Sequence, residues 1–415
     1  MMLGSVLGEV QRIVNKHDDD VVDRYNHRYT VIALAIFIFV IASKQYFGEP
    51  ITCWTPAQFT GSHTSYANTI CWTHGTYPVG GDQPYHTVDR TQVLPYYQWV
   101  PFILLFQAAC FMIPNLIWHT FSKSAGVDIT SLGQNASALD NFDMDQREKT
   151  INQIARHIHI ALSLKYDYLP TFRKFNLRNR LPFGRRHGNY LYIVYMIVKI
   201  IYIANIICQL LLMNSFFGFR YHSYGLDFMR KFLMGDDYSR IDRAFPRVTF
   251  CDFKIRNLGD NIHQHSVQCA LPINLFNEKF FICLWFWMIF LAGITIFNFF
   301  SWLKMIFTSY RKKSIAKYLK AHKRLGNTEK DKELFDTFVR EYCHLDGAFI
   351  ISILRRNSNY ITTSDIICQL YDKFCREFTR PSREHRQIVT STFKDTVEIG
   401  LTDNEEFDEK KPFRE

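Results

Sequence analysis

The sequence predicts an all-α membrane protein: a four-helix transmembrane bundle with disulfide-bonded extracellular loops and a helical cytoplasmic domain. Three observations support this fold class. The 415-residue chain contains four long apolar runs, each close to the roughly 20 residues that a helix needs to cross the hydrocarbon core of a bilayer. Lysine and arginine are concentrated in some of the segments that join these runs and nearly absent from another. Finally, two of the joining segments each carry a pair of cysteines.

The N-terminal segment, residues 1–28, is predicted to contain a short amphipathic helix. Its apolar side chains recur at helical spacing; they are Leu3, Val6, Leu7, Val10, Ile13 and Val14. An acidic run follows, consisting of Asp18, Asp19, Asp20 and Asp23. Because these charges precede the first apolar run and no small-residue cleavage site follows it, we interpret the segment as retained and not as a signal peptide.

The four predicted spans are residues 29–47, 100–121, 190–213 and 280–307. A soluble protein would need four all-round apolar helices inside one core, which is disfavoured at this chain length. Pro114 lies within the second span and is predicted to kink it, because proline removes a backbone hydrogen bond from a helix.

Lys199 lies ten residues into the third span. It could face a water-filled cavity or a neighbouring subunit, or it could pair with an acid. An ionisable residue in a span is a functional hypothesis by default, and a lysine cannot easily reach the interface from this depth. We therefore favour a role between helices.

The distribution of basic residues predicts the orientation. The loop at 48–99 contains only Arg90, whereas the segment at 122–189 contains eleven lysines and arginines. The segment at 308–415 also opens with a basic run. Basic loops remain on the cytoplasmic side, so we expect both termini and the middle loop there. The loop at 214–279 has nine basic residues but exceeds the length over which the rule is reliable, and we assign it to the outside.

The cysteines agree with this topology. Cys53 and Cys71 lie in the first outside loop, and Cys251 and Cys269 lie in the second. An even number of cysteines in exported loops indicates disulfides, whereas the cysteines elsewhere are expected to be reduced thiols. Four cysteines allow three pairings, and the residues alone do not choose between them.

The middle loop and the C-terminal segment are both predicted to be helical, and the latter to end in an acidic tail. Each contains an apolar stripe at helical spacing, which we interpret as domain core. The stripes are Ile151, Ile154, Ala155, Ile158 and Leu162 in the loop, and Leu334, Phe335, Phe338, Val339 and Tyr342 in the tail.

No catalytic or cofactor-binding motif was found, which disfavours an enzyme: the chain has no HExxH, P-loop, GxSxG or dinucleotide fingerprint. His157 and His159 would point to different sides of a helix, so we expect no metal site there and assign no cofactor. The net charge of +10 is explained largely by anionic lipid at the inner leaflet, without a nucleic-acid partner.

Several motifs resemble the innexins, the gap-junction channel proteins of invertebrates. GEPITCWTPAQF begins at Gly48, and YYQWVPF, which begins with Tyr96, Tyr97, Gln98, Trp99 and Val100, stands directly before the second span. LWFWMIF in the fourth span and LDGAFIISILRRN in the tail are similar to innexin sequences as well. Two cysteines per outside loop also match this family.

The resemblance implies a large-pore channel subunit in the plasma membrane at gap junctions. It implies an octameric hemichannel, of one innexin or several, that docks through its outside loops with a hemichannel on a neighbouring cell. The implied disulfides are Cys53–Cys269 and Cys71–Cys251. The family also places the N-terminus in the pore mouth, so Leu3, Val6, Leu7, Val10, Asp18, Asp19 and Asp20 become candidate pore-lining residues. The alternative position of this segment is an anchor on the membrane surface, which the acidic run disfavours because anionic lipid repels carboxylates.

A second function class stays open. A four-span adhesion or scaffold protein would have the same ordered loops without a conducting pore of its own. Passage of dye or current through membranes that contain only this protein distinguishes the two.

Overall fold

The computed structural model describes residues 19–78, 94, 96–123, 129–138, 144–167, 188–234, 244–256, 259–326 and 328–378. Its helices are, in chain order, α1 (Val21–Phe47), α2 (Gly61–His74), α3 (Tyr96–Lys123), α4 (Ile129–Ala138), α5 (Met144–Asp167), α6 (Tyr190–Phe217), α7 (Tyr221–Met234), α8 (Pro272–Leu303), α9 (Thr308–Ala321), α10 (Glu329–Thr337), α11 (His344–Asn357) and α12 (Tyr360–Phe378). The strands are β1 (Thr52–Trp54), β2 (Val248–Arg256) and β3 (Ile262–Ala270).

Four of these helices are long and apolar enough to cross a membrane, namely α1, α3, α6 and α8, the last extended by a short 3₁₀ turn to Ile306. Their exposed side chains are mostly large and apolar, as a lipid-facing surface requires. The predicted fold class, a four-helix membrane protein with disulfide-bonded loops, is therefore confirmed. The helix α3 continues through Pro114, and the kink there stays a prediction.

The first membrane helix begins earlier than its predicted start at residue 29. It begins at Val21 and includes a π-helical turn at Tyr25–Tyr29. The apolar pattern did not show this extension because Asp23 and Arg24 read as residues outside the bilayer. Both charges are compensated by neighbouring side chains, as the next subsection describes, so the helix can continue through them.

The chain forms two compact units. The first comprises Met1–Ala125 and Tyr192–Lys304, and the second comprises Gly126–Leu191 and Met305–Glu415. In the first unit, α1 packs against α3 and α8, while α7 packs on α8. A three-stranded antiparallel sheet of order β1-β3-β2 joins the two predicted outside loops, and α2 packs on β1 and β2. We call the sheet together with α2 the loop sheet.

The second unit is helical in its described part. Helix α12 packs against α5, α9 and α11, and α4 packs against α11 and α5. The predicted apolar stripes supply much of its core, because amphipathic helices must cover their apolar faces. The buried members are Ile151, Ile154, Ala155, Ile158, Leu162, Phe335, Phe338, Val339 and Tyr342.

Candidate functional site

Two disulfides hold the loop sheet together. Cys53 on β1 lies directly opposite Cys269 on β3, and these two residues are bonded. Cys71 on α2 is bonded to Cys251 on β2. Each bond joins the first loop to the second, across 216 and 180 residues of chain respectively. This is the pairing that the resemblance implies, and it makes the two loops one folded body.

The four sulfur atoms form a compact, buried group. Those of Cys53, Cys71 and Cys269 lie within 4.8 Å of one another, and all four cysteines are at most 4% exposed. Cysteine binds a metal as its thiolate, whereas these sulfurs are consumed by disulfide bonds. The group therefore acts as a covalent brace in the core of the loop sheet.

The YYQWV motif connects α3 to the loops. Tyr96 and Tyr97 are both buried; the Tyr96 hydroxyl donates to the Ala244 carbonyl over 3.4 Å, and the Tyr97 ring lies 4.8 Å from that of Trp72 on α2. The Gln98 amide donates to the Trp72 carbonyl. The motif thus fixes the end of a span to the loop sheet. Of its other members, Val100 is buried and Trp99 is exposed.

A second constellation lies where α1, α6 and α8 meet. The Lys199 ammonium on α6 donates to one carboxylate oxygen of Asp23 on α1 over 2.6 Å. The Tyr195 hydroxyl donates to the other oxygen of Asp23, also over 2.6 Å. Asp23 and Lys199 are 2% and 0% exposed, so this is an ion pair removed from solvent. Lys199 has the role between helices that we favoured from its depth in the span.

Asp20 and Asp19 extend this network. The Asn298 amide and the Trp302 indole, both on α8, donate to the same oxygen of Asp20 over 2.5 and 3.0 Å. Lys199 lies 3.9 Å from that oxygen. Asp19 pairs with Arg24 at 3.1 Å. Asp19, Asp20 and Asp23 are therefore held inside the first unit by donors from three chain segments. We call Asp19, Asp20, Asp23 and the side chains that donate to them, Lys199 among them, the buried polar network.

Electrostatics explains why the network is so heavily hydrogen-bonded. A charge in an apolar interior loses several kcal/mol of hydration, which its partner restores only with good geometry and further hydrogen bonds. In this network each buried carboxylate accepts at least one bond from a neutral or cationic donor. Such a cluster holds its helices in one arrangement, because a shift of any helix would leave a buried charge unpaired.

These positions change the interpretation of the pore-lining candidates. Leu3, Val6, Leu7, Val10 and Asp18 lie outside the described residues. Asp19 and Asp20 are 4% and 3% exposed and hydrogen-bonded within the chain. Donors on α1, α6 and α8 satisfy both carboxylates within one chain, which weighs against their facing a permeation path. The pore is formed by the assembled ring, so the pore-lining role of Asp19 and Asp20 stays a prediction.

The second unit contains a polar cavity of about 330 Å³. Arg147, His322, Asp365, Cys368 and Asp372 are among its lining residues. Arg147 pairs with Asp365 at 3.0 Å, so these two charges of the cavity lining balance each other. Burial raises the pKa of the Cys368 thiol from 9.0 to about 11, which keeps it protonated and unreactive near neutral pH.

Of the two histidines that we considered as a metal pair, His159 has an identifiable role. Its Nδ1 lies 2.5 Å from the Tyr342 hydroxyl, and its Nε2 lies 2.7 Å from a Glu377 carboxylate oxygen. The ring thus joins α5 to the C-terminal helices of the second unit.

Sequence reasoning missed several members of the buried polar network, above all Asp23, Tyr195 and Asn298. For Asp23 the sequence did contain a signal. Lys199 lies deep in one span and needs a partner, and Asp23 lies near the predicted start of another span. For Tyr195 and Asn298 the sequence carries no such signal, since polar aromatic and amide side chains are common in membrane helices.

Comparison with known proteins agrees with the resemblance found in the motifs. The family model described as Innexin matches residues 19–374. Innexin unc-9 of Caenorhabditis elegans is 33% identical over 379 residues, covering 90% of this chain and 97% of its own. Innexin-11 and Innexin eat-5 of the same organism are 32% and 30% identical, covering 96% and 99% of this chain and 88% and 99% of theirs. Since the match includes the membrane helices, the loop cysteines and the helices of the second unit, this chain belongs to the innexin family.

Proposed function

We propose that eight copies of this chain, alone or with other innexins, surround a pore, and that two such rings on adjacent cells dock through their loop sheets. Innexins form gap-junction channels, and as a member of the family the chain is a subunit of one, passing ions and small molecules between cells. What we propose beyond family membership is the ring size, the choice of partners and the docking surface. The observation that carries the proposal is the disulfide-braced loop sheet.

The disulfides also support an orientation. Disulfides persist in oxidising compartments and are rare in the cytosol, so the loop sheet belongs outside the cell. Its first part lies between α1 and α3, and its second part lies between α6 and α8. Each pair of spans therefore returns the chain to the starting side, which puts both termini and residues 122–189 in the cytoplasm. The lysine and arginine bias points the same way.

A docking surface must keep its shape before it meets its partner, because ordering flexible loops on contact costs binding energy. The loop sheet meets this requirement through two cross-loop disulfides, a nine-residue antiparallel β2–β3 pair and the anchoring YYQWV motif. An adhesion protein would need the same rigidity, so conduction is the property that separates the two functions.

The first test is an image and a flux measurement on the purified protein. We expect projection images to show rings of eight subunits with a central hole. Vesicles that contain only this chain are expected to release a small dye. Rings without dye flux or current would support the adhesion alternative, and particles without rotational symmetry would contradict the assembly.

The second test separates docking from assembly. Replacing Cys71 by Ser removes one brace from the loop sheet, and we expect cell-to-cell coupling to be lost while rings still form, since spans associate through their own packing. Cys208→Ser, which changes an exposed free thiol in α6, is the matched control and is expected to leave coupling intact. Equal loss of rings and coupling in Cys71→Ser would show that the loop sheet is needed for folding rather than for docking.

A further inference from the structure

Helix α9 is a strongly basic helix that begins directly after the last membrane helix. Only Phe307 separates Ile306, where the apolar helix ends, from Thr308, where α9 starts. The sequence from Arg311 to Lys320 contains five lysines and arginines. Clusters of this kind next to a membrane helix typically meet anionic lipid, but the sequence does not show which of the charges are available.

The structure divides these basic residues into two groups, and the first points inward. The Arg311 guanidinium is largely buried and donates to the His344 carbonyl over 2.8 Å. Lys312 pairs with Asp336. These two side chains hold α9 to the rest of the second unit and are committed to internal partners.

The second group points outward. Lys313, Lys317 and Lys320 are exposed and follow one another at the i, i+4 and i+7 positions, which places them on one face of α9. Within the described part of the chain, no carboxylate lies within ion-pairing distance of any of them. Lys317 lies 5.8 Å from the ring centroid of Tyr360, itself 45% exposed, so its ammonium remains at the surface. We call these three residues the lysine stripe.

Apolar side chains stand beside the stripe at the start of the helix. Ile306, Phe307 and Tyr310 are 49%, 67% and 38% exposed, although all three are large. An exposed apolar end followed by an exposed basic face is the pattern of a segment that enters a membrane interface, with the apolar part among acyl chains and the charges at the headgroups. The stripe spans about 10 Å at 1.5 Å per residue, which one polyphosphorylated headgroup can bridge.

We propose that the lysine stripe binds the headgroup of a phosphoinositide in the leaflet where α8 ends. Ammonium groups act as point charges toward phosphate, and three of them on one face favour a multiply phosphorylated inositol over a zwitterionic headgroup. The inference rests on the proposed orientation, because phosphoinositides belong to the cytoplasmic leaflet. It adds a ligand that the channel function itself does not require.

The experiment measures binding of dioctanoyl phosphatidylinositol 4,5-bisphosphate to the full-length protein in detergent. Lysines near an anionic surface contribute on the order of fivefold in affinity each. We therefore expect the triple variant Lys313→Gln, Lys317→Gln and Lys320→Gln to bind at least tenfold more weakly. Dioctanoyl phosphatidylcholine is expected not to compete, and the corresponding triple Lys→Arg variant is expected to bind within about twofold of the parent.

The control variant loses the same charge elsewhere. Lys279→Gln, Lys330→Gln and Lys332→Gln change three exposed lysines and should leave lipid binding within about twofold of the parent. The inference is overturned if the stripe variant binds normally while remaining folded, or if the control variant loses as much affinity. The inference is also overturned if soluble inositol trisphosphate binds as tightly as the lipid, because the site would then recognise a free inositol phosphate and not a lipid. Because the assay needs no conduction, absence of dye flux would refute the proposed function without affecting this result.

Discussion

Lys199 and Asp23 show how single residues can determine the arrangement of membrane helices. The lysine is fully buried, and its ammonium donates a hydrogen bond to the Asp23 carboxylate, which also accepts one from the Tyr195 hydroxyl. An apolar pair of similar volume could stabilise the bundle as well or better. What the ion pair adds is selectivity: α1 and α6 must lie in the one register that brings the two charges together.

The first prediction follows from this pairing. Lys199→Met leaves the Asp23 carboxylate buried without its cation, which typically costs roughly 3–5 kcal/mol of folding free energy. We expect a clear fall in the midpoint of thermal unfolding in detergent. The double variant Asp23→Asn with Lys199→Met should recover much of that loss, because the asparagine is neutral and can still accept from Tyr195.

Lys304→Met is the control for this prediction, since Lys304 is an exposed lysine directly after α8 and its loss strands no buried carboxylate in the network. Its unfolding midpoint should stay near that of the parent. A Lys199→Met protein as stable as the parent would contradict the buried ion pair between Lys199 and Asp23.

Cys368 provides the second prediction at the residue scale. Burial is the main cause that raises its pKa to about 11, and the nearby Asp372 carboxylate contributes. Because the thiolate is the reactive form, alkylation by iodoacetamide should be slow at pH 8 and increase up to about pH 11. Asp372→Asn removes a negative charge, which lowers the pKa, so the reaction at pH 9 should become faster. Peptide mass mapping at a series of pH values measures both rates; rapid alkylation of Cys368 at pH 8 would contradict the raised pKa.

At the scale of elements, the contact between α7 and α8 depends on a glycine. A Cβ atom built on Gly225 would lie 2.0 Å from the Trp285 ring, so the two helices approach as closely as their backbones and this indole allow. The Trp285 Nε1 donates to the His222 carbonyl over 3.0 Å, and Trp285 is 4% exposed. The indole therefore has little room to move aside.

The third prediction tests this contact. Gly225→Ala forces α7 away from Trp285, and overpacking of this kind typically costs about 1–3 kcal/mol. Gly293→Ala is a matched control within α8, because a Cβ there meets nothing within 4 Å, and alanine favours helix over glycine. We expect the unfolding midpoint to fall for Gly225→Ala and to hold or rise for Gly293→Ala. The opposite order of the two midpoints would show that α7 does not pack at this distance.

At the scale of the whole molecule, the acidic run has two separate roles to distinguish. Asp19 and Asp20 belong to the buried polar network, whereas Asp18 and the preceding apolar stripe lie outside the described residues. We keep the hypothesis that residues 2–14 line the pore of the assembled channel. The structure limits the charge that can act there, because buried and hydrogen-bonded carboxylates do not raise the local cation concentration as exposed ones do.

The fourth prediction separates these roles. Deleting residues 2–14 should change unitary conductance or gating if the segment lines the pore. Asp20→Asn should lower the unfolding midpoint, since it weakens the bonds from Asn298 and Trp302 and removes the nearby countercharge of Lys199. It should leave the reversal potential in a salt gradient unchanged. Parent-like conduction after the deletion favours the surface-anchor interpretation, and a reversal shift in a stable Asp20→Asn channel would return this carboxylate to the permeation path.

Much of the fold could be predicted from the residues, because the bilayer restricts which structures can span it. A run of about 20 apolar residues must form a helix in hydrocarbon, where unpaired backbone groups are too costly. The four spans and the helical middle and tail segments followed from such local patterns. The start of α1 did not follow from them. Asp23 and Arg24 are residue types that usually face solvent, and the sequence does not show which side chains compensate their charges.

The sequence by itself determined the four membrane helices, the exported cysteines and, through its motifs, the resemblance to the innexins. Only the tertiary structure decided which donor meets which carboxylate in the buried polar network, why Asp19 and Asp20 leave the surface, and which lysines of α9 remain exposed. The reason is physical: span formation depends on residues that are neighbours in the chain, whereas Lys199 and Asp23 are 176 residues apart. Their contact, and with it the cost or gain of each buried charge, exists only once helix packing has brought them together.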